Sequence, residues 1–310
     1  MRRIVPYAFF SLLLIISVAL GQELSSDPQS TPMPAFSAAN SDPTYQQLRH
    51  LKLGDLTVAV HDLVLQRDAG TFTFRSGTFS FLAPVNGKVT GAVFLGDGSF
   101  TLVPPTATEK HSLSLLTKEL RMEETFNELV LRFTDGTADE IKKVGTAAAP
   151  AGNPGTALEG INSALRKDLH YNLHARLLED VLATRPGGLF VAFIRGKKYD
   201  SRMIYAIDPR GVHAFGLRSD QVGLMTWDAN KHGVWASFHL AEEHDPAGVS
   251  RRNRFKITHQ KLNTTIEKTR RLNGDATTTF TARSVGLRVV HLNLFPPLRV
   301  QSVSPHNSRS

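Results

Sequence analysis

Two stretches carry histidines at spacings that raise the question of a metal. In SFHLAEEHDP, residues 237–246, His239 and His244 flank Glu242 and Glu243, one residue away from a zinc-hydrolase signature. On a helix each residue advances about 100°, so His239 and Glu243 share a face while His244 lies about 140° from His239. On a strand, five steps put the two histidines on opposite sides. Only a bend at Ala241 would bring them onto one ion. The second stretch is NSALRKDLHYNLHARLLEDVLA, where His170 and His174 stand at i and i+4 on a helical pattern, a spacing that can chelate zinc. The metallopeptidase version needs a glutamate directly after the first histidine as general base, and Tyr171 holds that place. Asp168 and Glu179 fall elsewhere on the wheel. His170, His174, His239 and His244 are therefore the candidate metal ligands. The competing reading is a strand end, a charged turn and a histidine pair beside a leucine stripe.

None of the twelve histidines begins an H-E-x-x-H. The chain has no cysteine, no G-x-S-x-G elbow, no phosphate loop and no dinucleotide fingerprint. Ser219 and Asp220 have no histidine near them in sequence. Glu123-Glu124 and Glu242-Glu243 read as solvated faces. No catalytic residue and no cofactor is assigned. Tyr199, Tyr205, Trp227 and Trp235 form the other candidate set, rings that could line a platform for peptide or glycan or fill a β core.

The elements that must position these residues are strands for the most part. TFTFRSGTFSFLAPVNGKVTGAVFLGDGSFTLVPP alternates apolar and polar residues, with Phe72, Phe74, Phe79, Phe81, Phe100 and Leu102 on buried faces. Asn86-Gly87 and Asp97-Gly98 are hairpin dipeptides, so an antiparallel meander is predicted. EKHSLSLLTKEL is a short helix, and TADEIKKV is another with a capping box from Thr137 to Glu140. GTAAAPAGNPGT has linker composition. One helix, capped by Asn162 or Ser163, carries Leu165, Leu169, Leu173 and Leu177. Strands follow in GLFVAFIRG, SRMIYAID, GVHAFGL, QVGLMTW and HGVWASFHL. The last region reads as FKITHQKLNTTIEK, a turn at Asn273-Gly274, DATTTFTARS, LRVVHLNLF and LRVQSVS.

The chain opens with Arg2 and Arg3, then an apolar run to Leu20, with Ala19 and Gly21 placed for cleavage before Gln22. This is the grammar of an export signal, and the run is short for a membrane span. Export to periplasm or medium is expected, with no retained span. The formal net charge is +8, and its densest cluster, Arg251, Arg252, Arg254 and Lys256, has only Phe255 as a stacking ring, which argues against nucleic acid as partner. The expected organisation is 1–21 signal peptide, 22–44 disordered tether, 45–145 β-rich unit, 146–156 linker, 157–250 α+β unit, 255–303 incomplete β-domain and 304–310 frayed tail. The fold class is α+β and β-rich, with antiparallel meanders, a few helices and a partial C-terminal β-domain.

The segment from Ile257 to Ser304 resembles the opening of the N-terminal β-domain of membrane alanyl aminopeptidase-type (gluzincin) zinc peptidases, at Leu262, Ile266, Leu272, Gly274, Leu292, Leu298, Val300 and Val303. Residues 45–303 as a whole resemble the long non-catalytic leader of large exported bacterial members. That family uses H-E-x-x-H with a downstream glutamate and a G-x-M-E-N loop, and neither occurs here. The resemblance implies a leader without its catalytic part, acting as scaffold or substrate-presenting surface, with a peptidase catalytic region or an envelope component as partner. The alternatives are an envelope binding module for peptide or glycan and a cryptic metallohydrolase.

Overall fold

The computed structural model describes residues 10–15, 37–38, 42–167, 173–184, 187–199, 202–211, 220–226, 233–241, 255–268, 271–283, 287–294 and 300–304. The chain is β-rich and antiparallel, as the alternation predicts. Its main sheet contains β3 (Leu53–Arg67), β4 (Gly70–Leu82), β5 (Gly91–Leu102), β6 (Met122–Phe133), β7 (Thr146–Ala147), β8 (Phe190–Arg195), β9 (Arg202–Ile207), β10 (Val222–Thr226) and β11 (Gly233–Phe238). The spatial order is β11-β10-β9-β8-β6-β5-β4-β3-β7. Strands from segments 45–145 and 157–250 join directly, because β6 pairs with β8 from Leu129↔Ile194 to Phe133↔Phe190.

The sheet has two apolar faces. Phe72, Phe74, Phe79, Phe81, Phe94, Phe100, Phe126, Phe190 and Tyr205 share one core. Val93, Val130, Val191, Phe193, Ile204 and Met225 point the other way, into a second core with the helices. Phe72 and Phe79 differ in parity along β4, yet both face inward, because the register shifts between Phe74 and Ser76. A bulge of this kind restores the inward face and bends the strand. Gly77 and Gly96 sit opposite each other there. A Cβ on Gly96 would come within 2.5 Å of the Gly77 Cα, so this crossing requires glycine.

The ring core measures how far the sheet curls. Four strand spacings separate β4 from β9, about 19 Å on a flat sheet. The Tyr205 ring of β9 nevertheless lies 6.0 Å from Phe72 of β4 and 5.0 Å from Phe100 of β5. Tyr205 Oη donates to the Arg67 carbonyl at 2.7 Å, and Ala241 N donates to Asp68 Oδ2 at 2.9 Å. The end of the sheet at β9–β11 thus folds over the β3–β4 turn and encloses a phenylalanine interior.

Helices cover what the curl leaves open. α1 (Pro43–Arg49) starts at Asp42, whose Oδ1 accepts from Tyr45 N. α2 (Ala107–Thr117) has a full capping box from Thr106 to Glu109, inserts Leu113 into the ring core and packs on β11. α3 (Thr137–Val144) forms where expected, but its capping box does not: Gly136 is the cap, and Thr137 turns to Asp135 Oδ1. The leucine-striped helical pattern is seen in α4 (Pro154–Lys167) and α5 (Leu173–Val181), with residues 168–172 outside the described residues, and its start is corrected. α4 begins inside the linker-like stretch, with Pro154 opening the helix and Gly155 N donating to Asn153 Oδ1, so Asn162 and Ser163 are interior. α1, α4 and α5 supply the second core.

The turns divide. Val85 and Lys88 bridge across Asn86-Gly87, with φ of 50° and 74°, the left-handed pair expected of a type I′ turn. Asp97-Gly98 lies inside β5 instead, where its register with β6 shifts. The expected strand GVHAFGL falls almost wholly outside the described residues. In LRVQSVS, residues 300–304 have no regular structure.

Beyond the main sheet, β12 (Phe255–Ile266) and β13 (Leu272–Ala282) make a separate two-stranded hairpin. Its reversal is at Glu267–Arg271, where Glu267 N donates to Arg271 O, and Asn273-Gly274 lies within β13. Phe255 and Phe280 pack with Leu287, Val290 and Leu292 at its base. β14 (Val289–Leu294) pairs with β1 (Phe10–Ile15), which lies in the apolar run near the start of the chain and also pairs with β2 (Ser37–Ala38).

Phe74 touches Phe79, Phe94 and Phe126 at 4.7–5.9 Å. We expect Phe74→Ala to cost about 3–5 kcal/mol by urea unfolding, the price of a large buried cavity. Leu262→Ala on the exposed hairpin should change stability by less than about 0.5 kcal/mol.

Candidate functional site

Of the four histidines, His170 and His244 lie outside the described residues. His174 is buried in α5. His239 follows β11, and its Nδ1 is 2.9 Å from Gln221 Oε1. Among the described residues no group of three or more His, Cys, Asp or Glu is placed to hold a metal ion. Glu179, a ligand option beside His174, is engaged by Arg210 and Arg176. Asp168, Ser219 and Trp227 are outside the described residues.

The aromatic set separates. Tyr205 is fully buried among the phenylalanines and belongs to the interior. Burial pushes its hydroxyl well above the usual phenol range, and the Asp68 charge pushes the same way. Tyr199 and Trp235 form an edge-to-face pair at 5.5 Å on the rim of the ring core, both half-buried. Lys198 Nζ sits 5.1 Å from the Tyr199 ring and bonds Glu119, which raises its pKa. This rim pair is what remains of a ring surface among the described positions.

The structure instead brings together charged groups that the sequence did not single out. Glu124, read as solvated with Glu123, is buried, because β6 alternates Met122, Glu124 and Phe126 inward. Its Oε1 accepts from the N–H of Thr125 at 2.8 Å, Lys197 at 2.9 Å and Lys198 at 2.7 Å, and its Oε2 accepts from Tyr199 N at 3.1 Å. The β8–β9 turn is thus a nest of amides filled by the chain's own carboxylate. The inward alternation of β6 was the available signal.

A second cluster joins α5 to the turn after β9. Arg176 is bidentate to Asp208, at 2.7 and 3.0 Å, and meets Asp180 at 2.7 Å. Arg210 reaches Asp180 and Glu179. Burial alone would lower the Arg176 pKa, but the charges of Asp208 and Asp180 outweigh it and hold the group above its ordinary value. A third cluster ties β3 to α3: Arg67 bonds Thr137 and Glu140, lies 3.3 Å from Asp135 and covers the Phe190 ring.

Arg132 is different. It is fully buried on the helix-covered face of β6; Nε donates to Thr90 O at 3.1 Å, and neither terminal nitrogen has a hydrogen-bond partner among the described residues. Burial lowers its pKa to about 9.

Compared with family models, curated proteins and solved structures, the chain matches none.

Two outcomes follow from these geometries. Glu124→Gln keeps one carbonyl oxygen for four amides and turns an NH2 toward donors. It should cost about 2–3 kcal/mol and speed proteolysis at the β8–β9 turn. Arg132→Met should be at least as stable as the native chain at pH 7, since it removes a buried charge without orphaning a partner side chain. The unfolded chain keeps the arginine proton to higher pH than the folded chain, which releases it above about 9, so the native protein gains stability as pH rises above that point. The stability gap between Arg132→Met and the native protein, read by urea melts from pH 7 to 11, should therefore narrow above pH 9.

Proposed function

We propose that the chain is an exported, non-catalytic module that presents a surface, serving as scaffold or substrate-presenting leader of an aminopeptidase-like peptidase. One observation carries the reading. Every buried carboxylate among the described residues, Glu124, Glu179, Asp180 and Asp208, is engaged by backbone amides or by arginines. A zinc peptidase needs a carboxylate free to take a proton from metal-bound water. These carboxylates are spent on holding turns and helices. The family reading is supported by the strand–turn–strand order of the resembling segment, which matches β12 and β13.

The half-buried Tyr199–Trp235 pair beside Lys198 favours a second reading, an envelope module that binds peptide or glycan. A saturable change in tryptophan fluorescence with soluble peptidoglycan fragments, lost in Trp235→Ala, would favour that reading over a scaffold.

The purified chain, assayed on aminoacyl-amide substrates with and without added zinc, should show no turnover. Zinc-dependent turnover that disappears in His174→Ala or His239→Ala would overturn the non-catalytic reading and establish a metallohydrolase.

A further inference from the structure

The two strands of the exposed hairpin treat their outer edges differently. β12 carries Lys256, His259 and Lys261, and its register shifts between Ile257 and His259. Lysines and bulges are the ordinary means of blunting a free edge. β13, LNGDATTTFTA, has no Lys, Arg, His or Pro, holds one charge, Asp275, and has a regular register from Leu272 to Thr279. Among the described residues nothing covers it: apart from Thr278 and Phe280, which are half-buried, its residues are exposed.

The backbone direction of that edge can be read. Glu267 N donates to Arg271 O, which makes this a hydrogen-bonded pair. Bonding alternates along an antiparallel ladder, so Asn273, Asp275, Thr277 and Thr279 turn their backbone groups to β12. Gly274, Ala276 and Thr278 turn theirs outward, where no described strand pairs with them. The side chains of Leu272, Ala276 and Phe280 share a face with Leu262 and Ile266 across the hairpin, and Leu262 and Ile266 are 63% and 76% exposed.

We propose that β13 is the pairing edge of a two-fold dimer, taking β13 of a second copy antiparallel about Ala276. In that register Leu272 lies opposite the partner's Phe280, and Phe280 opposite the partner's Leu272. Gly274 faces the partner's Thr278, and Ala276 faces the partner's Ala276. On the other face Asp275 meets the partner's Thr277, Asn273 the partner's Thr279 and Arg271 the partner's Thr281. No like charges are opposed, and apolar and threonine pairs of this kind stabilise a ladder. β12 paired with itself about its middle would set Lys261 against Lys261. The lysines and the shifted register of β12 then cap the four-stranded product, so assembly closes at two copies.

The absence of cysteine makes the register directly testable in the full chain. In a hydrogen-bonded antiparallel pair the Cα atoms are about 5.5 Å apart, within disulfide range. Ala276→Cys should give a disulfide-linked dimer on mild oxidation, whereas Lys261→Cys should not. By sedimentation the native chain should show a monomer–dimer equilibrium. Ala276→Lys, which sets lysine against lysine at an exposed position, should weaken it by about tenfold or more. Thr278→Pro, which deletes an outward N–H, should do the same, while Lys261→Glu should leave it unchanged. Amide exchange at residues 274, 276 and 278 should slow as protein concentration rises, with residues 70–102 unaffected. A chain monomeric throughout, a dimer untouched by Ala276→Lys and Thr278→Pro, or open-ended growth into larger species would each overturn the proposal.

Discussion

The structure depends on burying a continuous layer of phenylalanine rings on one face of a sheet. A flat nine-stranded sheet would leave those rings in water. Phe72 pairs with Phe100 on the neighbouring strand, and curling brings it within reach of Phe190 and Tyr205 on β8 and β9 as well. Each large side chain moved from water to this interior contributes about 1.5–3 kcal/mol, and edge-to-face pairs add to that. The curl has a steric condition, the close crossing at Gly77 and Gly96, and an anchoring condition, the Tyr205 hydroxyl on the Arg67 carbonyl. The hydroxyl needs a partner because it is buried.

Filling the interior with rings has a consequence for the charges. Buried ionisable groups are tolerated only where other groups complete them, and strand ends and turns are where free backbone amides are found. Glu124 is therefore taken up by the β8–β9 turn. Arg67 joins the β3–β4 end to α3, and Arg176 and Arg210 bind α5 to the turn after β9. These arrangements define geometry more than chemistry: each carboxylate is already committed to donors that it cannot release without loosening a turn. Arg132 breaks the pattern, since its terminal nitrogens are buried with no hydrogen-bond partner among the described residues.

Much of the fold was legible because the rings alternate. The meander and the Asn86-Gly87 turn follow from period-two patterning and turn chemistry, while β8, β9 and β10 were legible as short apolar runs, buried on both faces. What was not legible depended on tertiary partners. Asp97-Gly98 has hairpin chemistry, but Asp97 meets Arg75 across the ladder and Gly98 lies against Phe126, so the strand runs through it. Thr137 and Glu140 have capping-box spacing, but Arg67 Nη2 takes up both side chains and Gly136 becomes the cap. α4 begins in a glycine- and alanine-rich stretch whose composition says linker, because its apolar positions, Ala157, Leu158 and Ile161, matter only once a sheet is there to receive them. The histidine spacings suggested ligands by geometry alone, and His174 illustrates the limit: an i, i+4 position on a leucine-striped helix is also a buried position.

The hairpin obeys different physics from the rest. An isolated two-stranded ribbon is marginal in water, since it pays full backbone entropy while leaving one side of every strand unpaired. At its base Phe255 and Phe280 have a small core to pack on. Toward Ile266 and Leu272 there is only cross-strand pairing, on a face whose residues are exposed. The threonine run from Thr277 to Thr279 supplies β-branched stiffness but no burial. Order in the outer half must then come from something laid against β13 or its apolar face, whereas the curled sheet supplies its own. That difference places the chain's capacity for association in the hairpin, at β13, a long strand whose edge carries neither a cation nor a bulge.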